Sequence, residues 1–200
     1  MLSARHAQNE TEQLTGVSSS TTLPIKAKTM AADHLMFGTP VRILKDNHAI
    51  PVLYKDGKCL LQLPRVQLAT DVYEQESKMY VDVVFSRASV IHNMYQSIAS
   101  RCEAFCRSHA MFSGAVFNGH IRQVSTHDGS SCCVLRIKLP QNSGKILTNV
   151  TGRKDGKTIH MSSIHMHPGC TIIPIVSLEF IYVIAGSVGF NLLLTEAVIV

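Results

Sequence analysis

The stretch TIIPIVSLEFIYVIAGSVGFNLLLTEAVIV, residues 171–200, decides whether this chain is membrane-anchored or β-rich. A spanning helix needs about 20 apolar residues with few charges. Glu179 lies inside the run, and an ionised side chain there costs roughly 2.5–3.5 kcal/mol at mid-membrane. Pro174, Gly186, Gly189 and Asn191 interrupt it further. β-branched residues dominate the remainder, which suits pleated, buried strands. We therefore read two strands, Ile175–Ile184 and Phe190–Val198, joined by Ala185-Gly186-Ser187-Val188-Gly189. The expectation is a terminal β-hairpin over about 172–198 and no membrane partner.

Upstream the chain follows the same pattern. Val41–Leu44, a polar turn at Lys45-Asp46-Asn47-His48, and Ile50–Tyr54 read as strands. Lys55-Asp56-Gly57-Lys58 is a hairpin signal, because Asp-Gly tolerates positive φ. Cys59–Leu63 continues beyond it, and Met79–Phe85 is a further strand interrupted by Asp82. Later come Val116–Ser125, a turn at His127-Asp128-Gly129-Ser130, and Cys132–Leu139. In that last strand Val134, Arg136 and Lys138 alternate with Leu135, Ile137 and Leu139, so one face is apolar and the other largely basic. Lys154-Asp155-Gly156-Lys157 is the second hairpin signal.

One segment breaks the β pattern. Ile91, Met94, Tyr95, Ile98, Cys102, Phe105 and Cys106 recur every three or four residues, the apolar face of a helix over about 89–110. Ser86 or Ser89 can cap its start. The fold class is thus mainly β (α+β), with one long amphipathic helix inserted between strands.

Composition agrees with a packed domain: 46% of residues are apolar and only 16% charged. Residues 1–28 are polar and aperiodic, and read as a flexible tail before a domain at 29–200. A net charge of +5 permits phosphate binding without demanding it. Six cysteines occur with no secretory leader at the N-terminus, so reduced thiols in an intracellular, reducing compartment are expected.

The chemistry-bearing residues are few. His160, His165, His167 and Cys170 form the densest set of metal-ligand types, but no familiar zinc spacing completes it, and we expect a turn rather than a metal. Cys102, Cys106 and His109 share a helix face, and the cysteines fit the core stripe better than a site. No nucleophile elbow, P-loop or dinucleotide fingerprint is present, and most Asp residues fall in turn signals. We assign no catalytic residue, no cofactor and no enzymatic activity. Between Arg136 and Lys157 there are six basic residues (Arg136, Lys138, Lys145, Arg153, Lys154, Lys157) and one acid, Asp155. A basic strand face can track a phosphate backbone, and neighbouring aromatics can stack on bases. Tyr182 and Phe180 are the nearest aromatics in the terminal hairpin.

The order of these features resembles the single-stranded DNA-binding-like proteins of nucleocytoplasmic large DNA viruses, themselves similar to the OB-fold single-stranded DNA-binding proteins of bacteriophages. Tyr54 to Pro64 (YKDGKCLLQLP) is similar to an early strand pair of that family. Arg136-Ile137-Lys138-Leu139-Pro140 is similar to its basic strand. Gly169, Ile172, Ile175, Leu178, Ile181-Tyr182-Val183, Gly186 and Val188-Gly189 correspond to its closing hairpin. The resemblance covers roughly residues 34–200. It departs where Tyr182 replaces a Trp, Leu192-Leu193 a Trp-Lys pair, and Glu196 a Gln.

The resemblance implies an OB-like Greek-key barrel. It also implies a single-stranded DNA-binding protein of low sequence specificity supporting viral-type replication, recombination or repair. RNA is the other candidate ligand, and replication proteins or a second copy are candidate partners. If viral, the chain would work in the host cytoplasm or nucleus. Phosphates would fall to Arg136, Lys138, Lys145, Arg153, Lys154 and Lys157, and bases to Tyr182 and Phe180. The rival expectation, favoured by the lost Trp and Lys, is a structural or protein-interaction module without nucleic-acid binding.

Overall fold

A computed structural model describes residues 23–55, 57–119, 121–125 and 131–200. Most of the tail expected at 1–28, Asp56 of the first hairpin signal and the expected His127–Ser130 turn lie outside the described residues. Strand pairing begins before residue 29, the expected domain start. Ile25–Lys26 (β1) already pairs with Gly57–Gln62 (β5), and Ala27 is buried.

Leu35–Phe37 (β2), Val41–Leu44 (β3) and Asn47–Tyr54 (β4) follow β1. After β5 come Val66–Leu68 (β6), Tyr73–Gln75 (β7) and Lys78–Phe85 (β8). The helix α1 spans Val90–Ser108, capped by the Ser89 side chain, which accepts from the His92 N–H at 3.3 Å. It buries Ile91, Met94, Tyr95, Ile98, Cys102 and Cys106 of the face that the spacing predicts, adds Ala99, and leaves Phe105 half-buried. Val116–Phe117 (β9) and Ile121–Ser125 (β10) replace the single strand expected at 116–125, and they join different neighbours, Ser187–Phe190 and Ser131–Leu139. Ser131–Leu139 (β11), Gln141–Asn142 (β12), Lys145–Ile146 (β13), Asn149–Lys154 (β14) and Lys157–Met161 (β15) come next.

The C-terminal run is four strands rather than two: Thr171–Leu178 (β16), Phe180–Ile184 (β17), Ser187–Phe190 (β18) and Leu193–Ile199 (β19). Exposed Glu179 marks the break between the first two, where its carbonyl accepts from the Val52 N–H at 2.8 Å. Asn191-Leu192 marks the return. The hairpin turn is only Ala185-Gly186, both at positive φ. Pro174 is tolerated inside β16 next to a register shift between Ile175 and Val176. No helix among the described residues is long and apolar enough to cross a membrane.

Among the described residues the protein is mostly β, with a closed five-stranded barrel and a single α-helix. Around the barrel, β6 pairs antiparallel with β8, β8 with β11, β19 with β16, and β16 with β6, while β11 and β19 close it in parallel. Leu61, Leu63, Val81, Val83, Leu135, Ile137, Leu139, Ile172, Val176 and Leu194 are buried in its core. A second sheet, β3-β4-β17-β18-β9, leans on one end and shares that core. The helix packs against β9 and β18, with the Tyr95 ring 4.8 Å from Phe190. β17–β18 therefore leaves the barrel as an excursion between its last two strands.

Candidate nucleic-acid interface

Alternation along β8 turns Val81, Val83 and Phe85 inward, and so turns Tyr80 and Asp82 outward. Antiparallel pairing then sets Lys138 opposite Tyr80 and Arg136 opposite Asp82. On the other side of β8, β7 brings Tyr73 opposite Tyr80. On the other side of β11, β10 brings Arg122 opposite Val134. One continuous outer surface results.

Asp82 organises it. Its side chain is 5% exposed, and it accepts from Tyr73 Oη at 2.9 Å, Arg122 Nη2 at 2.6 Å and Arg136 Nε at 3.3 Å. A buried carboxylate demands such compensation. The Arg136 guanidinium also donates to Gln75 Oε1 at 2.8 Å and lies 5.4 Å from the ring centroids of both Tyr73 and Tyr80. Those rings are 6.0 Å apart, tilted by 33°. Two cations share one anion, so the cluster keeps positive charge. Arg122 directs it outward, with 57% of its side chain exposed.

Lys138 extends the surface. Burial pushes its ammonium below the ordinary lysine value, Lys78 adds to this, and Glu179 opposes both. Glu179 also acts on Tyr182, whose hydroxyl is pushed up first by burial and then by that carboxylate. Phe180 lies beside Tyr182 at 6.2 Å between ring centroids. The cross-strand neighbours of Tyr182 are Ala49 and Gly189, which are small and leave room around the ring. Tyr73 is pushed up to about 12, mostly by burial and then by its bond to Asp82, so both ring hydroxyls stay protonated donors at neutral pH.

The sequence-predicted residues therefore separate. Arg136 and Lys138 share one face, whereas Tyr182 and Phe180 lie on β17, which pairs with β4 and β18. Lys145 sits exposed on the β12–β13 hairpin. Arg153, Lys154 and Lys157 are exposed on the β14–β15 hairpin. β14 meets β19 at Asn149–Thr151, opposite 196–198, whereas Lys138 lies opposite Leu193. Lys154 is thus about 25 Å from Lys138 along the strand direction, at about 3.3 Å per residue. Sequence reasoning missed Tyr73, Tyr80, Asp82 and Arg122. The alternation within Met79–Phe85 marks Tyr80 and Asp82 as a shared face, but only pairing reveals Tyr73 and Arg122.

The other candidate sets do not assemble. His160 contacts Asn149, with 3.2 Å between Nδ1 and Oδ1, and His165 Nδ1 bonds the Ser162 carbonyl. Among the described residues no three His, Cys, Asp or Glu side chains gather as metal ligands. All six cysteines are free. Burial pushes the Cys59 and Cys102 thiols up to about 12 and Cys106 up to about 11, as suits core residues. No protein-family model matches this sequence, and no curated protein matches it.

Proposed function

We propose that the outer face of β7, β8 and β11 binds single-stranded nucleic acid with little sequence preference. The observation that carries this reading is Arg136, held by Asp82 against the Tyr73 and Tyr80 rings on a half-exposed sheet face. Cations for phosphates and π faces for bases are the two parts of sequence-tolerant single-strand binding. Arg122, Arg136 and Lys138 would contact phosphates, while Tyr80, opposite Lys138, and Tyr182 would stack on bases. The strand order supports an OB-type barrel. Counting barrel strands along the chain, the fourth lies beside the first, as in a Greek key. The third and fifth close it in parallel. OB folds bind oligonucleotides on the face of their second and third strands, which here are β8 and β11.

A second reading has its own observation. Asp82 already engages both arginines, so the face is a self-satisfied polar network that an interaction module could carry without any nucleic acid. Anisotropy of a fluorescent dT oligomer in a salt series separates the two. On the binding reading, log affinity falls with log salt by about 0.7 per phosphate contact. Tyr80→Ala costs about 1–3 kcal/mol with little change of slope. Asp82→Asn releases Arg122 and Arg136, and tightens binding while lowering stability by about 1–3 kcal/mol. Absence of binding at low salt would leave the interaction-module reading standing.

A further inference from the structure

The β14–β15 hairpin is supported by a third strand only over Asn149–Thr151, where β14 lies beside β19. Beyond Thr151 a two-stranded ribbon continues alone for three residues per strand to its tip. That protrusion is about 10 Å long at about 3.3 Å per residue. Asp155 and Gly156, at φ 51° and 75°, form the tight turn.

The ribbon has two different faces. Directly opposed residues share a face in an antiparallel pair. Val150, Gly152, Ile159 and Met161 lie on the back together with Lys154 and Lys157, and a Cβ on Gly152 would displace the Met161 thioether that lies over it. The front carries Asn149, Thr151, Arg153, Thr158 and His160, all hydrogen-bonding residues with no aliphatic side chain among them. At the tip Lys154 stands directly opposite Lys157. Like charges in that position destabilise a free ribbon. Neither lysine, nor Arg153, has an ion-pair partner among the described residues.

We propose that this ribbon is a second nucleic-acid contact, an arm that enters a groove of duplex DNA. Charge complementarity selects a polyanion: Arg153, Lys154 and Lys157 outnumber Asp155, and an external phosphate relieves the opposed lysines. Shape selects a duplex, since the major groove is about 12 Å wide and about 8.5 Å deep and admits a two-stranded β-ribbon. Within the protruding part the front face carries Arg153 and Thr158, side-chain types that contact base edges. The arm and the β8–β11 face lie about 25 Å apart, so the chain can hold a single strand and an adjoining duplex together.

The test uses the full chain, a blunt-ended duplex and a dT oligomer, each in an anisotropy salt series. R153A/K154A/K157A lowers duplex affinity at least tenfold and makes its log–log salt slope shallower by about two to three, at about 0.9 per phosphate. It changes dT affinity less than twofold, and its thermal transition is no lower than that of wild type. Wild-type protein that does not bind the duplex at low salt overturns the proposal, as does unchanged duplex affinity in the triple variant. A wild-type dimer that the triple variant converts to a monomer in sedimentation also overturns it, because the ribbon's occupant would then be a second copy. Failure of the β8–β11 reading is recognised separately, as loss of dT binding with duplex binding intact.

Discussion

Lys138 joins the barrel face to the excursion strands, and its position is costly. Burial disfavours its charged form and Lys78 repels it. Its folded pKa lies below the unfolded one, so the folded chain binds fewer protons between the two values. Stability therefore rises with pH across that window, and below it the cost of the buried charge is present in full. Lys138→Met keeps the stem and removes the charge. We expect a higher melting temperature at pH 7, with the advantage shrinking as pH climbs through the folded pKa of Lys138. The salt slope of dT binding should fall by about 0.7. A lower melting temperature at pH 7 would mean that Glu179 stabilises the ammonium more than burial penalises it. Arg136 and Lys138 were legible from the sequence because alternation alone assigns them to the polar face of β11. Tyr73 was not, because its place depends on a pairing between strands that no local pattern encodes.

The β7–β8 hairpin shows why that pairing was hidden. Its turn, Glu76-Ser77, has φ of 52° and 60°, the geometry that hairpins usually give to Asn-Gly or Asp-Gly. With no glycine, the segment carries no turn signal, and β7 is only three residues long. Non-glycine residues in this region cost roughly 1–2 kcal/mol each. Replacing the pair, E76N with S77G, should stabilise the protein by about 1 kcal/mol in urea denaturation. An unchanged midpoint would show that other contacts offset the strain. The Lys154–Lys157 hairpin, whose Asp-Gly turn does carry the signal, forms at the expected residues. The terminal hairpin was legible as β but not as four strands. Glu179 reads as a flaw in a hydrophobic run, and only the assembled sheets reveal it as the point where the chain leaves the barrel. The helix was legible to within two residues at its end, since its period and a capping serine are local signals.

At the scale of the molecule, residues 171–200 supply two of the five barrel strands and both strands of the excursion. Removing them leaves β6 without one neighbour and β11 without its closing partner. A chain ending at residue 170 should show no cooperative thermal transition. A cooperative transition in that fragment would mean that β8, β11 and the helix form an independent core. The expectation of a barrel came from the family resemblance rather than from any local pattern, and its closure depends on distant contacts, such as Gln67 donating to the Gly169 carbonyl 102 residues away. That separation has a kinetic consequence. Helix α1 and the tight hairpins can form within microseconds. Closing the barrel must first overcome the entropy of joining segments a hundred residues apart. Refolding should therefore be slow for a chain of this size, and the β8–β11 face should mature late, when strands from both halves of the sequence have met.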